Sequence, residues 1–259
     1  MTSTVTTDQL WIRRYHQAAP GAPTLVCLPH AGGSATFYFP MSRALAPRYD
    51  VVAVQYPGRQ DRRSEPLVES IDELADQLLP VLRRNTDGPV AFFGHSMGAS
   101  LAFELARRFE EAGTVPGALF VSARPAPSRH REGGTVHLGD DTELIAKLRE
   151  LSGTDEQVLG DEELLRMALP ANRNDYKAAE TYRYRPGPEL NCPVHVLIGT
   201  EDPMVTEDEA AAWSGHTTGA FSLDVLDGGH FYLIHHQDRI LRTIAERLDG
   251  SGVAETPRA

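Results

Sequence analysis

The stretch Val90-Ala91-Phe92-Phe93-Gly94-His95-Ser96-Met97-Gly98-Ala99 decides the reading of this chain. Four apolar residues bounded by a glycine read as a buried strand. The residues from Ala99 to Phe109 carry helical periodicity. Between them stands G-x-S-x-G, in the strand–turn–helix setting its mechanics require: the serine occupies a strained turn, and small flanking residues let strand and helix pass closely. The hydroxyl of Ser96 then projects from the carboxyl end of a sheet, where open α/β sheets bind their ligands.

Working outward, further short apolar runs flank this one: Thr24 to Leu28, Val51 to Val54, Leu119 to Ala123, Val194 to Ile198 and Phe221 to Leu226. Most are continuously apolar rather than alternating, as strands covered on both faces must be. Helical patterns separate them. Ile71, Leu74, Ala75, Leu78, Leu79 and Leu82 form one stripe, with Ser70 and Glu73 placed as a capping box and Pro80 expected to kink or shorten the helix. Asp238 to Leu248 forms another. Strands alternating with helices predict an α/β fold with a mainly parallel central sheet and helices on both faces.

One interval breaks the rhythm. Between Ala123 and Val194 no strand is legible, and Thr142 to Leu151, Asp161 to Leu169 and Ala171 to Tyr184 all have helical spacing. A parallel crossover needs a single helix, so residues 128–188 are read as a helical insertion over one end of the sheet. The core then comprises 1–127 and 189–248, and the polar stretch 249–259 is read as a frayed tail.

A serine hydroxyl needs a neutral imidazole to accept its proton. Of the ten histidines, His230 follows the last strand through Asp227-Gly228-Gly229, which places it beyond the sheet's carboxyl edge. His235 and His236 belong to the following turn or helix, and His95 flanks the serine. The orienting acid is expected after the preceding strand, in Gly199-Thr200-Glu201-Asp202-Pro203; Asp202 is preferred, with Glu201 its neighbour and competitor. The chain order Ser96, Asp202, His230 is that of the α/β-hydrolases. Leu28-Pro29-His30-Ala31-Gly32-Gly33 follows a strand, and such a loop supplies one backbone donor of an oxyanion hole while the residue after the nucleophile supplies the other. That selects the amides of Ala31 and Met97.

Composition narrows the field. The chain has 259 residues, enough to bury a core without disulfide or metal staples, and its 41% hydrophobic and 24% charged content exclude global disorder. No apolar stretch approaches the ~18 residues of a membrane span. With 25 Lys and Arg against 36 Asp and Glu, the net charge of −11 argues against nucleic acid. Arg62-Arg63, Arg83-Arg84 and Arg107-Arg108 are the local basic pairs. The two cysteines, Cys27 and Cys192, form no C-x-x-C unit, so zinc and redox motifs are absent, and Cys27 reads as a buried thiol. H-E-x-x-H, Walker A and G-x-G-x-x-G are also absent, so neither a metal nor a nucleotide cofactor is expected. Met1 to Leu10 has neither a basic nor an apolar signal region, which makes the cytoplasm the expected compartment.

Taken together, Pro29-His30-Ala31-Gly32-Gly33-Ser34, Gln55-Tyr56-Pro57-Gly58-Arg59, Phe93 to Ala99, Leu119 to Pro127, Leu169-Pro170 with Arg173-Asn174-Asp175-Tyr176, and Gly229-His230-Phe231-Tyr232 resemble the type II thioesterases that accompany modular polyketide synthases and nonribosomal peptide synthetases. The resemblance covers about residues 10–248, with Asn174 standing where the family pattern leads one to expect Ala. It implies hydrolytic editing: removal of misprimed or stalled acyl groups from the 4′-phosphopantetheine arm of acyl or peptidyl carrier proteins, by a monomer without a cofactor of its own. Ser96, Asp202 and His230 match the family's catalytic set, and the insertion becomes a lid over an acyl chamber, with Leu144, Leu148, Leu164 and Met167 as candidate lining. Because carriers are acidic, Arg59, Arg62 and Arg63 are candidate docking cations. A general carboxylesterase or lipase-like hydrolase with the same triad is the alternative.

Overall fold

The structure, a computed structural model, describes residues 7–129, 131, 134–151 and 161–250. Its sheet contains β1 (Ile12–Arg13), β2 (Thr24–Leu28), β3 (Asp50–Val54), β4 (Val90–His95), β5 (Leu119–Ser122), β6 (Val194–Gly199) and β7 (Phe221–Leu226). The strand order is β1-β3-β2-β4-β5-β6-β7. All neighbours run parallel except β1, which pairs antiparallel with β3, Ile12 opposite Val54. The six strands expected from apolar runs are all present. β1 is the addition, two residues too short to leave a pattern.

The unbroken hydrophobicity of the central strands has a direct cause. Along β4, Val90 and Phe92 join one apolar cluster while Ala91 and Phe93 join another on the opposite face. Along β2, Val26 and Leu28 face the first cluster, Leu25 and Cys27 the second. Side chains alternate across a strand, so a strand covered on both faces must be apolar at every position. The first face is covered by α3 (Ile71–Asn85) and α4 (Met97–Glu111), the second by α2 (Phe39–Leu45) and α8 (Gln237–Gly250). A short α1 (Thr7–Trp11) precedes β1, and a short α7 (Glu207–Ala211) lies between β6 and β7. The Cys27 thiol is buried and free, and burial pushes its ionisation upward.

Between β5 and β6 lie α5 (Asp141–Leu151) and α6 (Glu162–Thr181). Leu144, Leu148, Leu165, Leu169 and Tyr176 form a small cluster of their own, and Ala31 packs against it. The far end of α6 is rooted in the main core through Ala178 and Tyr182. The Tyr182 hydroxyl donates to Glu104 (2.7 Å), and Asn174 Nδ2 donates to the Val68 carbonyl (2.7 Å). The residue that departs from the family pattern thus ties α6 to the segment leading into α3.

Helices run through both Pro80 and Pro170. α3 runs through Pro80 to Asn85 without being shortened, and the two helices expected on either side of Pro170 are one helix, α6. Both prolines are exposed. Each removes one N–H donor on a face where water can satisfy the abandoned carbonyl, while the opposite face keeps its buried stripe. At the start of α3, Ser70 Oγ accepts from Glu73 N (3.2 Å), but the Glu73 carboxylate is engaged by Gln77 Nε2 (3.2 Å). The tail also begins later than expected: Asp249 and Gly250 complete α8, with Asp249 accepting from the Tyr49 hydroxyl (2.7 Å), and 251–259 lie outside the described residues. Residues 152–160 of the insertion lie outside them as well.

Candidate active site

Ser96 sits alone between the end of β4 and the start of α4, with φ 55° and ψ −118°. Its N–H donates to Ser122 O on the neighbouring strand (2.8 Å), and its carbonyl accepts from Ala99 N (3.0 Å). The two glycines of the motif make this turn possible. A Cβ on Gly94 would stand 2.2 Å from Gly98 O, and one on Gly98 would stand 2.0 Å from Leu28 O. Strand, helix and the neighbouring strand's exit therefore approach one another with no room for a methyl group.

The parallel sheet brings the ends of β6 and β7 beside that turn. His230 Nε2 lies 3.0 Å from Ser96 Oγ, and His230 Nδ1 lies 2.9 Å from each carboxylate oxygen of Asp202. Both side chains are buried. Asp202 Oδ1 also accepts from Met204 N (2.8 Å), which fixes the carboxylate's orientation. Glu201 points to solvent instead. Because a carboxylate only accepts, Nδ1 of His230 carries the proton and Nε2 is left free to accept from the serine.

The loop after β2 borders the same cavity, with His30 and Ala31 beside Ser96. Gly33 N donates to His30 O (2.9 Å), and Gly32 N donates to Asp175 Oδ2 (2.8 Å). The carbonyls of Leu28 and Pro29 are held by the hydroxyls of Tyr38 (2.8 Å) and Tyr56 (3.1 Å). The amides of Ala31 and Met97 have no acceptor among the described residues, and Met97 is the first residue of α4, where no helical acceptor exists.

Two further histidines lie behind His230. His95 is fully buried, its Nδ1 2.9 Å from Ser122 Oγ, which in turn is 2.7 Å from the Tyr232 hydroxyl. Burial, then the nearby His230 and His30, hold His95 well below the usual imidazole range. His30 is pushed down to about 3, by burial first and then by His230 and Arg59; its buried Nδ1 has no partner among the described residues. The Phe231 ring packs on both, 4.8 Å from His30 and 5.0 Å from His95. These rings stay neutral and serve as packing around His230.

Two cavities of about 270 Å³ and 70 Å³ open on Ser96, and both are walled by Arg124, Ala179, Glu180 and Met204. The smaller reaches His230, Tyr176 and Leu148. Leu148 is therefore a cavity residue, as expected. Leu144 is buried within the helical cluster, while Leu164 and Met167 are 44% and 56% exposed and line neither cavity. The proposed docking cations also need correction. Arg59 is 7% exposed, paired with Asp175 (2.8 Å) and laid over the Tyr56 ring. Arg62 is 3% exposed, clamped by both oxygens of Glu65 and the Gln55 carbonyl and stacked on Trp11 at 4.2 Å. Only Arg63 of the three is at the surface. Sequence reasoning gave no role to Asp175 or Arg124; both fall in stretches that carry the family resemblance, but nothing in their local sequence announces that Asp175 meets Gly32 and Arg59 or that Arg124 meets Ala179.

Among the described residues no helix is long and apolar enough to cross a membrane, and no group of three His, Cys, Asp or Glu side chains is arranged to hold a metal.

A mainly parallel sheet with a serine on the turn after its central strand, and an imidazole and carboxylate on the next strand ends, defines the α/β-hydrolase fold. The Thioesterase domain family matches residues 23–248, and the chain belongs to it, as a thioesterase of the type II class. The probable cadicidin biosynthesis thioesterase of Streptomyces griseus is 52% identical over 242 residues; the match takes in 92% of this chain and 66% of that protein, just short of two thirds of its length. Among solved structures, the type II thioesterase BorB from the borrelidin biosynthetic cluster is 68% identical with a TM-score of 0.89, over 94% of this chain and 99% of that one. YbtT, the type II thioesterase from the yersiniabactin NRPS/PKS biosynthetic pathway, is 30% identical with a TM-score of 0.83, over 93% and 99%.

Proposed function

We propose that this thioesterase hydrolyses aberrant or stalled acyl groups from the 4′-phosphopantetheine arm of acyl or peptidyl carrier proteins, as an editing enzyme of polyketide or nonribosomal peptide biosynthesis in the cytoplasm. The observation that carries the reading is the continuous contact Ser96 Oγ–His230 Nε2–Nδ1–Asp202, at 3.0 and 2.9 Å, opening on two cavities. The likeness to BorB, from the borrelidin biosynthetic cluster, and to YbtT, from the yersiniabactin NRPS/PKS pathway, supports the biosynthetic setting.

In this reading Ser96 Oγ attacks the thioester carbonyl as its proton passes to His230 Nε2. Asp202 holds the ring and stabilises the imidazolium. Charge builds on the former carbonyl oxygen, where the amides of Ala31 and Met97 receive it; one such donor is worth about 2.7–4 kcal/mol in a transition state. The C–S bond then breaks, and the leaving thiolate takes the proton from His230 Nε2, so the carrier's thiol departs and the ring is neutral again. A thiol of pKa ~8.5 departs with little acid assistance. Water gives a proton to His230, attacks the acyl-serine ester, and the carboxylic acid leaves as Ser96 recovers its proton. Two cavities meeting at Ser96 suit a substrate with an acyl group on one side of the scissile bond and a long arm on the other. α5 and α6 act as the lid that walls them.

The test is a panel of acyl groups on one carrier protein, beside oxygen esters of the same acids. Release from the carrier at higher kcat/KM than from the esters, abolished in Ser96→Ala with the fold retained, is the expected result. Full hydrolysis by Ser96→Ala removes the nucleophile; preference for the oxygen esters supports the carboxylesterase alternative instead.

A further inference from the structure

We propose that Asp175, on the lid helix α6, is a positioning residue for the oxyanion loop. Its two carboxylate oxygens are divided between two tasks: Oδ2 accepts from the Gly32 amide (2.8 Å), and Oδ1 accepts from Arg59 Nη2 (2.8 Å). The Asp175 side chain is 3% exposed and that of Arg59 is 7% exposed, so the ion pair is buried. Gly32 has φ 75°, a left-handed conformation, and a Cβ there would lie 1.9 Å from Asn172 Oδ1. The helix therefore lies directly against the loop, and a glycine is needed both for the turn and for the approach.

Asp175 controls which amides face the substrate. The Gly32 N–H is spent on it, which holds the Ala31–Gly32 peptide, and the Gly33 N–H is spent on His30 O, which holds the His30–Ala31 peptide that carries the Ala31 N–H. The Ala31 N–H has no acceptor among the described residues and is left free for the proposed oxyanion. A carboxylate so near that oxyanion would oppose the developing charge if it stood alone. Arg59 cancels it, which gives this arginine a reason to be buried although its Nε and Nη1 have no partner among the described residues. α6 also carries Tyr176, Ala179 and Glu180 into the cavities, so the helix that feels the acyl group is the helix that holds the oxyanion loop. Preorganised donors act in the transition state and not on the ground-state carbonyl, so loss of the contact is a loss of kcat rather than of binding.

This inference rests on the proposed role of Ala31, and its experiment separates the two. Asp175→Asn is compared with the unaltered enzyme for kcat, for inhibition by an alkyl boronic acid, which forms a tetrahedral adduct on serine, and for competition by a carrier bearing a non-hydrolysable acyl amide. The expected result is a 10–100-fold fall in kcat, an equal loss of boronate affinity, and amide-analogue affinity unchanged within twofold. A merely structural role moves all three together or none. Boronate affinity and kcat both within twofold of the unaltered enzyme overturn the proposal. Should the variant not fold, hydrogen exchange of the Gly32 amide in the unaltered protein decides: exchange slowed by at least about 100-fold supports the contact, and exchange at the rate of an open loop amide rules it out. Ser96→Ala is run alongside. Activity surviving in Ser96→Ala defeats the functional reading itself, whereas an inactive Ser96→Ala with an unaffected Asp175→Asn defeats only the role of Asp175.

Discussion

At Ser96 the strain of the backbone and the placement of the hydroxyl have one cause. A non-glycine residue held at φ 55° costs about 1–3 kcal/mol, and the surroundings must over-determine it. They do so through the Ser122 and Ala99 hydrogen bonds and through the contact of Gly98 with the Leu28 carbonyl. Gly98→Ala forces that carbonyl away. It is expected to destabilise the fold by about 1–3 kcal/mol in urea unfolding and to lower turnover, because the displaced backbone leads into the loop of Ala31. Unchanged stability in that variant contradicts the packing described. The acid is tested at the same scale. Asp202→Asn leaves the geometry but favours the wrong tautomer of His230, and kcat is expected to fall by about 10⁴-fold, while Glu201→Gln stays within twofold. This pair was legible in the sequence down to the choice between adjacent residues, because strand ends at one edge of a parallel sheet must converge. The exposure of Glu201 supports the preference for Asp202.

At the scale of elements, α6 is one helix where the sequence spacing predicts two. Propensity sees Pro170 as a break; it does not see that the residue lies on a solvent face while Leu165, Leu169 and Tyr176 anchor the other side. The arginines Arg59 and Arg62 illustrate the converse failure. Composition places arginine outside, yet here the guanidinium planes lie on Tyr56 and Trp11 and meet Asp175 and Glu65. Local sequence does not reveal partners supplied by another element. Breaking the buried pair is costly because the surviving charge stays dry. Arg59→Met is expected to lose about 3–5 kcal/mol of stability, read as a shifted urea midpoint. Ser70→Ala, which removes the cap of α3, costs about 1 kcal/mol in the same assay and leaves turnover unchanged.

At the scale of the whole molecule, the sheet was visible because burial on both faces demands unbroken apolar strands, while β1 escaped notice because two residues at an edge carry no period. The histidines set the response to acid. Burial holds His30 down to about 3 and His195 down to about 4, and His95 and His216 are lowered for the same reason. Each folded value lies below the ordinary 6.5 of an unfolded chain, so the unfolded state takes up protons first as pH falls. Stability is therefore complete above about pH 6.5 and is lost below it, at up to about 1.4 kcal/mol per pH unit for each such histidine. The carboxylates of Glu65 and Glu209, held low by hydrogen bonds from Arg62 and Arg131, act in the same direction further down. Urea midpoints at pH 7.5 and 5 check this: the lower pH is expected to give the lower midpoint, and an equal or higher one contradicts the burial of these rings.

The central claim is that one hydroxyl, activated by His230, carries the acyl group between thiol and water. Intact-mass measurement of the whole chain after treatment with an alkyl fluorophosphonate, followed by peptide mapping, tests it most directly. A single adduct on Ser96, formed at least about 100-fold more slowly in His230→Ala, is the predicted result. An adduct on another residue, or continued thioester hydrolysis by the fully labelled protein, contradicts the account.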